Sequence, residues 1–183
     1  MSPRQCRAAR ALIGLSRPEL GSVARVGKNT IQAFEAGRHC ANRSTIAKLR
    51  AAFASLSVRF TEDEQGIGVQ RNFTTNEIET REEFVDRPVN HAPIVTIQET
   101  KHVITPAQAR AARAFLDISQ AKAANMAGVG LSLLVAFETE VRIPRSSNTK
   151  KIKNMYEAEG IIFTEINGVP AVQALPSPHR PPQ

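Results

Sequence analysis

The chain has 183 residues, of which 42% are hydrophobic, and it carries a formal net charge of +7. This hydrophobic content is ordinary for a folded protein, and no apolar run reaches the roughly 18 residues that a membrane span requires. The sequence contains no Trp and one Tyr, so extended aromatic platforms for single-stranded nucleic acid are not expected.

The positive charge is concentrated at the start of the chain. Residues 1–60 hold eleven Lys and Arg against two Glu, and residues 105–183 hold nine bases against six acids. Residues 61–104 reverse the balance, with four bases against nine acids. A strongly basic block attracts polyanions, and nucleic acid is the first candidate. A basic face that only keeps the protein soluble is the alternative.

The chain repeats itself. Shifted by 103 residues, it aligns with itself without a gap from residues 3–70 to residues 106–173, with 21 identities in 68 positions. This internal repeat predicts two homologous domains, residues 1–72 and 102–173. An acidic linker is expected over residues 73–101 and a Pro-rich disordered tail over residues 174–183.

Each repeat predicts four helices followed by a β-hairpin. Ser2 and Thr105 are each followed by Pro and then, three residues after the cap, by Gln, which indicates a capping box. In repeat 1 the helices are predicted from Ser2 to about Leu12, from Ser16 over the next eight to nine residues, from Gly27 to Glu35, and over Arg43–Ser55. In repeat 2 they are predicted from Thr105 to about Phe115, from Ser119 over the next eight to nine residues, from Gly130 to Glu138, and over Ser147–Ala158. Asn167-Gly168 is a strong hairpin signal.

The third helices are predicted to end in different turns. Gly37 follows the third helix of repeat 1, where a glycine supplies the left-handed conformation that terminates many helices. Glu140 stands at the same place in repeat 2. The two turns are therefore expected to differ.

Two short helices joined by a short turn, the second beginning with polar residues, are typical of a helix-turn-helix. The segment LSRPELGSVARVGKNTIQAFEAG, residues 15–37, resembles the helix-turn-helix of the lambda Cro/repressor-like (XRE) family of bacterial and phage regulators. The resemblance covers most of repeat 1 and, more weakly, repeat 2. It implies a mainly α protein with two tandem lambda-repressor-like helix-turn-helix domains, each followed by a small β-hairpin. It also implies repression more often than activation.

The resemblance implies which residues of repeat 1 contact double-stranded DNA. Lys can donate to guanine, and Asn or Gln can form two hydrogen bonds with adenine. The base-reading positions fall at Lys28, Asn29, Gln32 and Ala33, with Thr30 able to reach a base or a phosphate. Backbone contacts are expected from Arg17, Arg38, Asn42 and Arg43. A solvated surface position is the alternative for each.

Other residues of the same segment are predicted to be structural. Leu15, Leu20, Val23, Ile31 and Phe34 are expected in the core rather than on the DNA-binding face. Glu35 stands alone near a helix end, where a structural hydrogen bond is expected rather than acid–base chemistry.

Repeat 2 departs from the pattern where bases would be read. Leu131, Leu133 and Val135 replace polar residues, and Ser132 is the one polar reader left in its third helix. Phosphate contacts remain possible at Gln120, Arg142, Arg145 and Lys150. Three interpretations stay open: weak or T-rich DNA binding, a protein interface through Leu131, Leu133 and Val135 for a homodimer or another partner, and a structural remnant.

No catalytic, metal-binding or cofactor-binding pattern is found, so the sequence predicts no enzyme, no metal and no cofactor. Cys6 and Cys40 are expected to be ordinary residues of a reducing bacterial cytoplasm, with the protein associated with the nucleoid. The favoured hypothesis is a sequence-specific DNA-binding transcriptional regulator. The alternative is a protein-interaction regulator, such as an antiactivator or an antitoxin-like partner, that binds through the apolar third helix of repeat 2.

Overall fold

The computed structural model of the chain describes residues 1–38, 41–63, 66–71, 104–166 and 169–175. These parts are mainly helical, with one small antiparallel sheet of four strands. Repeat 1 contains α1 (Pro3–Leu12), α2 (Arg17–Ala24), α3 (Lys28–Glu35), α4 (Arg43–Ser55), β1 (Val58–Asp63) and β2 (Gly66–Arg71). Repeat 2 contains α5 (Pro106–Leu116), α6 (Gln120–Ala127), α7 (Leu131–Glu138), α8 (Ser146–Ala158), β3 (Ile161–Ile166) and β4 (Val169–Ala174).

The predicted helices are confirmed to within about two residues at each end. β4 extends to Ala174, the first residue of the predicted tail. The predicted acidic linker, Cys40, the Asn167-Gly168 turn and residues 176–183 lie outside the described residues.

The capping glutamines tie each first helix to the hairpin of its own repeat. The Ser2 hydroxyl accepts from the Gln5 backbone N–H at 3.2 Å, and the Gln5 side-chain oxygen accepts from the Ser2 N–H at 2.8 Å. The Gln5 amide Nε2 then donates to the carbonyls of Thr61 at 2.9 Å and Gly68 at 3.4 Å. Gln108 makes the equivalent bonds to Thr164 and Ala171. The buried amides are thus satisfied, as burial of a polar group requires.

The two hairpins join into one sheet in the order β1-β2-β4-β3. β2 and β4 pair antiparallel, with Val69 opposite Val172, its counterpart in the other repeat. Gly68 pairs with Gln173, and Gln70 with Ala171, so exchanging the repeats reproduces the pairing. A local two-fold axis therefore passes between the two valines, and the repeats are arranged like the subunits of a dimer.

Helix packing obeys the same two-fold symmetry. α1 packs against α5, and the Arg7 Nε donates to the Ala114 carbonyl at 3.2 Å while the Arg110 Nε donates to the Ala11 carbonyl at 3.1 Å. Asp117 adds an ion pair to Arg7 at 3.1 Å. The buried apolar residues of both repeats form one cluster. Over the described residues, the repeats therefore share a core and a sheet.

The turns after α3 and α7 start alike and then differ. Gly37 and Glu140 both adopt the left-handed conformation, with φ of +66° and +63°, and each backbone N–H donates to the carbonyl three residues earlier, at 2.9 and 3.0 Å. The next bond runs from the Arg38 N–H to the Ala33 carbonyl in repeat 1, but from the Arg142 N–H to the Ala136 carbonyl in repeat 2, one residue later, so the predicted difference is confirmed beyond the shared start. The Glu140 carboxylate pairs with Arg110 at 3.0 Å, which helps to hold this residue in a conformation that costs a non-glycine about 1–2 kcal/mol. Val23, expected in the core, is 46% exposed.

Tyr156→Phe is expected to leave the free energy of unfolding unchanged or to raise it by up to about 1 kcal/mol. The Tyr156 hydroxyl is the one buried side-chain polar atom without a hydrogen-bond partner in the described part of the chain. Burial also raises the pKa of this phenol. Phe53 occupies the equivalent place in repeat 1, so Phe53→Tyr provides the reverse experiment and should cost about 1–3 kcal/mol. Urea unfolding followed by circular dichroism measures both; a large loss in Tyr156→Phe would reveal a bond to the hydroxyl.

Candidate nucleic-acid interface

α2 and α3 are joined by a tight turn over Arg25–Gly27. Arg25 adopts the left-handed conformation with φ of 52°, and the Val26 N–H donates to the Gly21 carbonyl at 3.0 Å. A Cβ at Gly21 would lie 2.7 Å from the Val26 carbonyl oxygen, so the missing side chain lets the turn close tightly. Leu20, Ile31 and the other buried residues of the pair fix α3 against the core.

The outward face of α3 is polar. Ile31, Phe34 and Glu35 face the core, whereas Lys28, Asn29, Thr30 and Gln32 are exposed and Ala33 is half-buried. Among the described residues, none of these four polar side chains is engaged in a hydrogen bond with the protein. Their donors and acceptors are therefore available for a ligand, as base reading requires.

A concave cleft lies on each side of this polar face. The first has a volume of about 440 Å³ and the second about 500 Å³. The first, between α2 and α3, is lined by Arg10, Ser16, Arg17, Pro18, Lys28, Asn29 and Gln32. The second, between α3 and the start of α4, is lined by Asn29, Thr30, Ala33, Phe34, Ala41, Asn42 and Thr45. α3 thus forms a ridge between two depressions, each of which includes residues predicted to contact the DNA backbone.

A buried ion-pair cluster joins α1, α2 and α3 behind the first cleft. The Glu35 carboxylate is fully buried and accepts from the Arg10 Nε at 2.9 Å and the Arg17 Nε at 2.8 Å. The second terminal nitrogen of Arg10 also donates to Glu35, at 3.2 Å, and the first donates to the Leu15 carbonyl at 2.8 Å. The structural role predicted for Glu35 is confirmed, although its carboxylate is doubly ion-paired rather than lone.

The cluster fixes the direction of Arg17. Its Nε is bound to Glu35, whereas 42% of its side chain is exposed and lines the first cleft. A guanidinium held at Nε still offers its terminal N–H groups, in a fixed orientation, to an anion. Cys6 lies at the inner edge of the cluster, where burial first and Glu35 second raise the pKa of its thiol to about 12. The thiol is therefore neutral at physiological pH.

Asn42 has a structural task that the sequence analysis did not assign to it. It caps α4, and its side-chain oxygen accepts from the Thr45 N–H at 2.8 Å and the Ser44 hydroxyl at 2.9 Å. Its amide N–H groups stay available for a backbone contact. Arg38, in the connection between α3 and α4, and Arg43, the first residue of α4, are exposed.

Repeat 2 retains the cluster with one charge fewer. The buried Glu138 carboxylate accepts from the Arg113 Nε at 2.8 Å and the Gln120 Nε2 at 2.8 Å. A neutral amide thus replaces the second guanidinium, so the predicted phosphate position Gln120 carries no charge. Arg10 and Arg113 were not predicted as site residues, although each recurs in the other repeat together with its glutamate.

The outward face of α7 is largely apolar. Leu131 and Ser132 are exposed and Val135 is half-buried. Leu133, predicted as an interface residue, is partly buried and packs against the core. Arg142, Arg145 and Lys150 are exposed, and Arg145 caps α8 without a side-chain hydrogen bond.

The described residues contain no group of three His, Cys, Asp or Glu side chains that could hold a metal ion. In the same parts of the chain, every helix is too short or too polar to cross a membrane. Comparison of the chain with models of protein families, with curated proteins and with solved structures found no match.

Proposed function

We propose that the chain is a sequence-specific double-stranded DNA-binding transcriptional regulator, a repressor rather than an activator, built from two tandem lambda-repressor-like helix-turn-helix domains. α2 and α3 form the helix-turn-helix of repeat 1, and α3 enters the major groove. The observation that carries the proposal is the outward face of α3, where Lys28, Asn29, Thr30 and Gln32 present unused donors and acceptors. Such side chains at the start of a recognition helix match the edges of base pairs.

The two clefts support backbone contacts on both sides of the groove. Arg17 lines the first cleft with a guanidinium that Glu35 orients. Asn42 lines the second, at the N-terminus of α4, where free backbone N–H groups and the helix dipole favour a phosphate. Phosphates bound in the clefts on both sides of α3 would fix the register of this helix in the major groove, as backbone contacts do in protein–DNA complexes.

The two-fold arrangement leaves repeat 2 two roles in such a regulator, the reading of a second half-site or an assembly surface. The axis between Val69 and Val172 relates α3 to α7, as the axis of a dimeric regulator relates its two recognition helices. Because α7 lacks most of the polar readers of α3, the half-site under repeat 1 supplies most of the sequence information. The bound site is therefore expected to be asymmetric.

Asn29→Ala and Gln32→Ala are expected to weaken binding to a selected site by about 1–3 kcal/mol each and to relax its sequence preference. Arg17→Ala should weaken binding to all sequences alike and reduce the slope of log K against log salt by about 1. The measurement is a selection from random duplex DNA with the full chain at fixed salt, followed by affinity titration of each variant on the enriched site.

Arg59→Ala is the matched control, because it removes an exposed positive charge from the hairpin and should have a smaller effect than Arg17→Ala. Unchanged affinity and preference in both α3 variants would show that α3 does not read bases. Failure of the full chain to enrich any duplex would refute the proposed function.

A further inference from the structure

Repeat 2 exposes several large apolar side chains in one short segment. Leu131, Val141 and Ile143 are 48%, 80% and 64% exposed. The Arg142 N–H donates to the Ala136 carbonyl at 3.1 Å, which folds the segment back onto the last turn of α7. A single exposed apolar side chain is normal on a protein surface, whereas a group of them marks a contact site.

The same segment is polar in repeat 1. In the gapless alignment, Leu131, Val135 and Val141 correspond to Lys28, Gln32 and Arg38. The scaffold beneath them is retained, since Glu138 is bound by Arg113 and Gln120 as Glu35 is by Arg10 and Arg17. The exposed side chains have changed from polar to apolar, whereas the helices that carry them have the same arrangement in both repeats. Folding does not explain the apolar residues, because the most exposed of them contribute little to the core.

The elements next to the apolar segment carry more exposed bases than acids. The exposed cations on α6, α8 and the connection between α7 and α8 are Lys122, Arg142, Arg145, Lys150 and Lys151. The exposed acids described on the same elements are both paired, Glu140 with Arg110 at 3.0 Å and Glu157 with Lys153 at 3.4 Å. A second copy of the chain on this face would bring like charges together, which opposes self-association. An acidic partner has the complementary charge.

Nucleic acid is the other acidic candidate, and the apolar side chains disfavour it. Val141 aligns with Arg38 in sequence and is 80% exposed just before Arg142, whose N–H makes the bond that the Arg38 N–H makes in repeat 1. A backbone phosphate that approaches Val141 would meet methyl groups instead of a donor. Phosphate oxygens that lose water without gaining a hydrogen bond destabilise a complex. Aliphatic side chains on α7 match only thymine methyl groups among the base edges.

We propose that the segment Leu131–Ile143 is a docking surface for an amphipathic helix of another protein, a helix that is apolar on one face and acidic along its flanks. The apolar face of the partner covers Leu131, Val141 and Ile143, and its carboxylates meet Arg142, Arg145 and Lys150. A helix seated on an apolar surface with charged flanks is a common mode of peptide recognition. The docking surface does not depend on DNA binding by repeat 1.

The test is a selection of displayed helical peptides of about 16 residues, roughly four turns, on the full chain. Enriched peptides are expected to carry apolar residues at i, i+3, i+4 and i+7 and a net negative charge. Binding of a synthetic enriched peptide should weaken at least about tenfold in Leu131→Lys/Val141→Arg, which restores the residues of repeat 1. Val23→Lys, which changes a similarly exposed apolar residue of repeat 1, should leave it unchanged.

Several results would overturn the proposal. The proposal is wrong if selection yields no peptide, if the enriched peptides lack an acidic amphipathic pattern, or if they bind the double variant as well as they bind the native chain. Enrichment from random duplex DNA of a second half-site that the double variant loses would make the segment a DNA surface. Asn29→Ala and Gln32→Ala should leave peptide binding intact, so failure of the DNA-binding proposal can be distinguished from failure of this one.

Discussion

Glu35→Ala is expected to lower the free energy of unfolding by about 3 kcal/mol and to weaken DNA binding to all sequences. Glu35 is the buried acceptor that joins Arg10 on α1 and Arg17 on α2 to the end of α3. Without it, two guanidinium groups face each other with no negative charge between them. The expected loss of stability lies at the lower end of the range for a broken buried ion pair, because both arginines are partly exposed and can be hydrated.

Glu138→Ala separates the two effects. It removes the equivalent carboxylate from repeat 2 and should cost about 2–3 kcal/mol, since one charged partner is lost there rather than two. It leaves Arg17 held by Glu35, so the affinity of repeat 1 for its half-site should change little. Urea unfolding and affinity titration on the selected duplex, applied to both variants, provide the comparison. Equal loss of DNA affinity in the two variants would mean that Glu35 contributes only stability.

The elements of each repeat could be predicted because their signals are local. Capping residues at Ser2, Ser16 and Thr105 mark helix starts through bonds that span three residues, and the structure forms each of them. The turn at Glu140 could not be predicted in the same way. Its left-handed conformation is held in part by Arg110, a partner from another helix that the local sequence does not reveal.

The contacts between the repeats could not be predicted from the sequence for a related reason. Arg7 and Arg110 recur in both repeats, but a recurring arginine does not say which carbonyl it will bind. Val69 recurs as Val172, but the sequence does not reveal which of the two strands of each hairpin pairs with the other repeat. The sequence alignment identified equivalent residues, and only the pairing of β2 with β4 shows that two of them meet on an axis.

Residues 1–71 expressed alone are expected to form a homodimer. In the full chain, β4 covers the edge of β2 and α5 covers one face of α1, so a lone repeat would expose an unpaired strand and apolar surface. The register across the axis is self-complementary, so Val69 of one copy can face Val69 of the next, with Gly68 opposite Gln70. Sedimentation equilibrium should give twice the mass of the fragment, with dissociation on dilution coupled to unfolding.

Val69→Asp in the fragment should abolish this dimer, because the two-fold axis would bring two buried carboxylates together. Arg59→Asp, on the exposed side of β1, is the control and should leave the mass unchanged. A folded monomer of residues 1–71 at all concentrations would contradict the prediction and make each repeat an independent domain.

A dimeric fragment would also explain how the repeats came to differ. Identical subunits must carry identical recognition helices, whereas two linked copies can change one helix without changing the other. Linkage further replaces association by an intramolecular contact at high effective concentration. The interface can therefore tolerate asymmetric features, such as the ion pair of Arg7 with Asp117, whose counterpart in repeat 1 is Gly14. The replacement of polar by apolar side chains on α7 is then a change that only the fused chain permits.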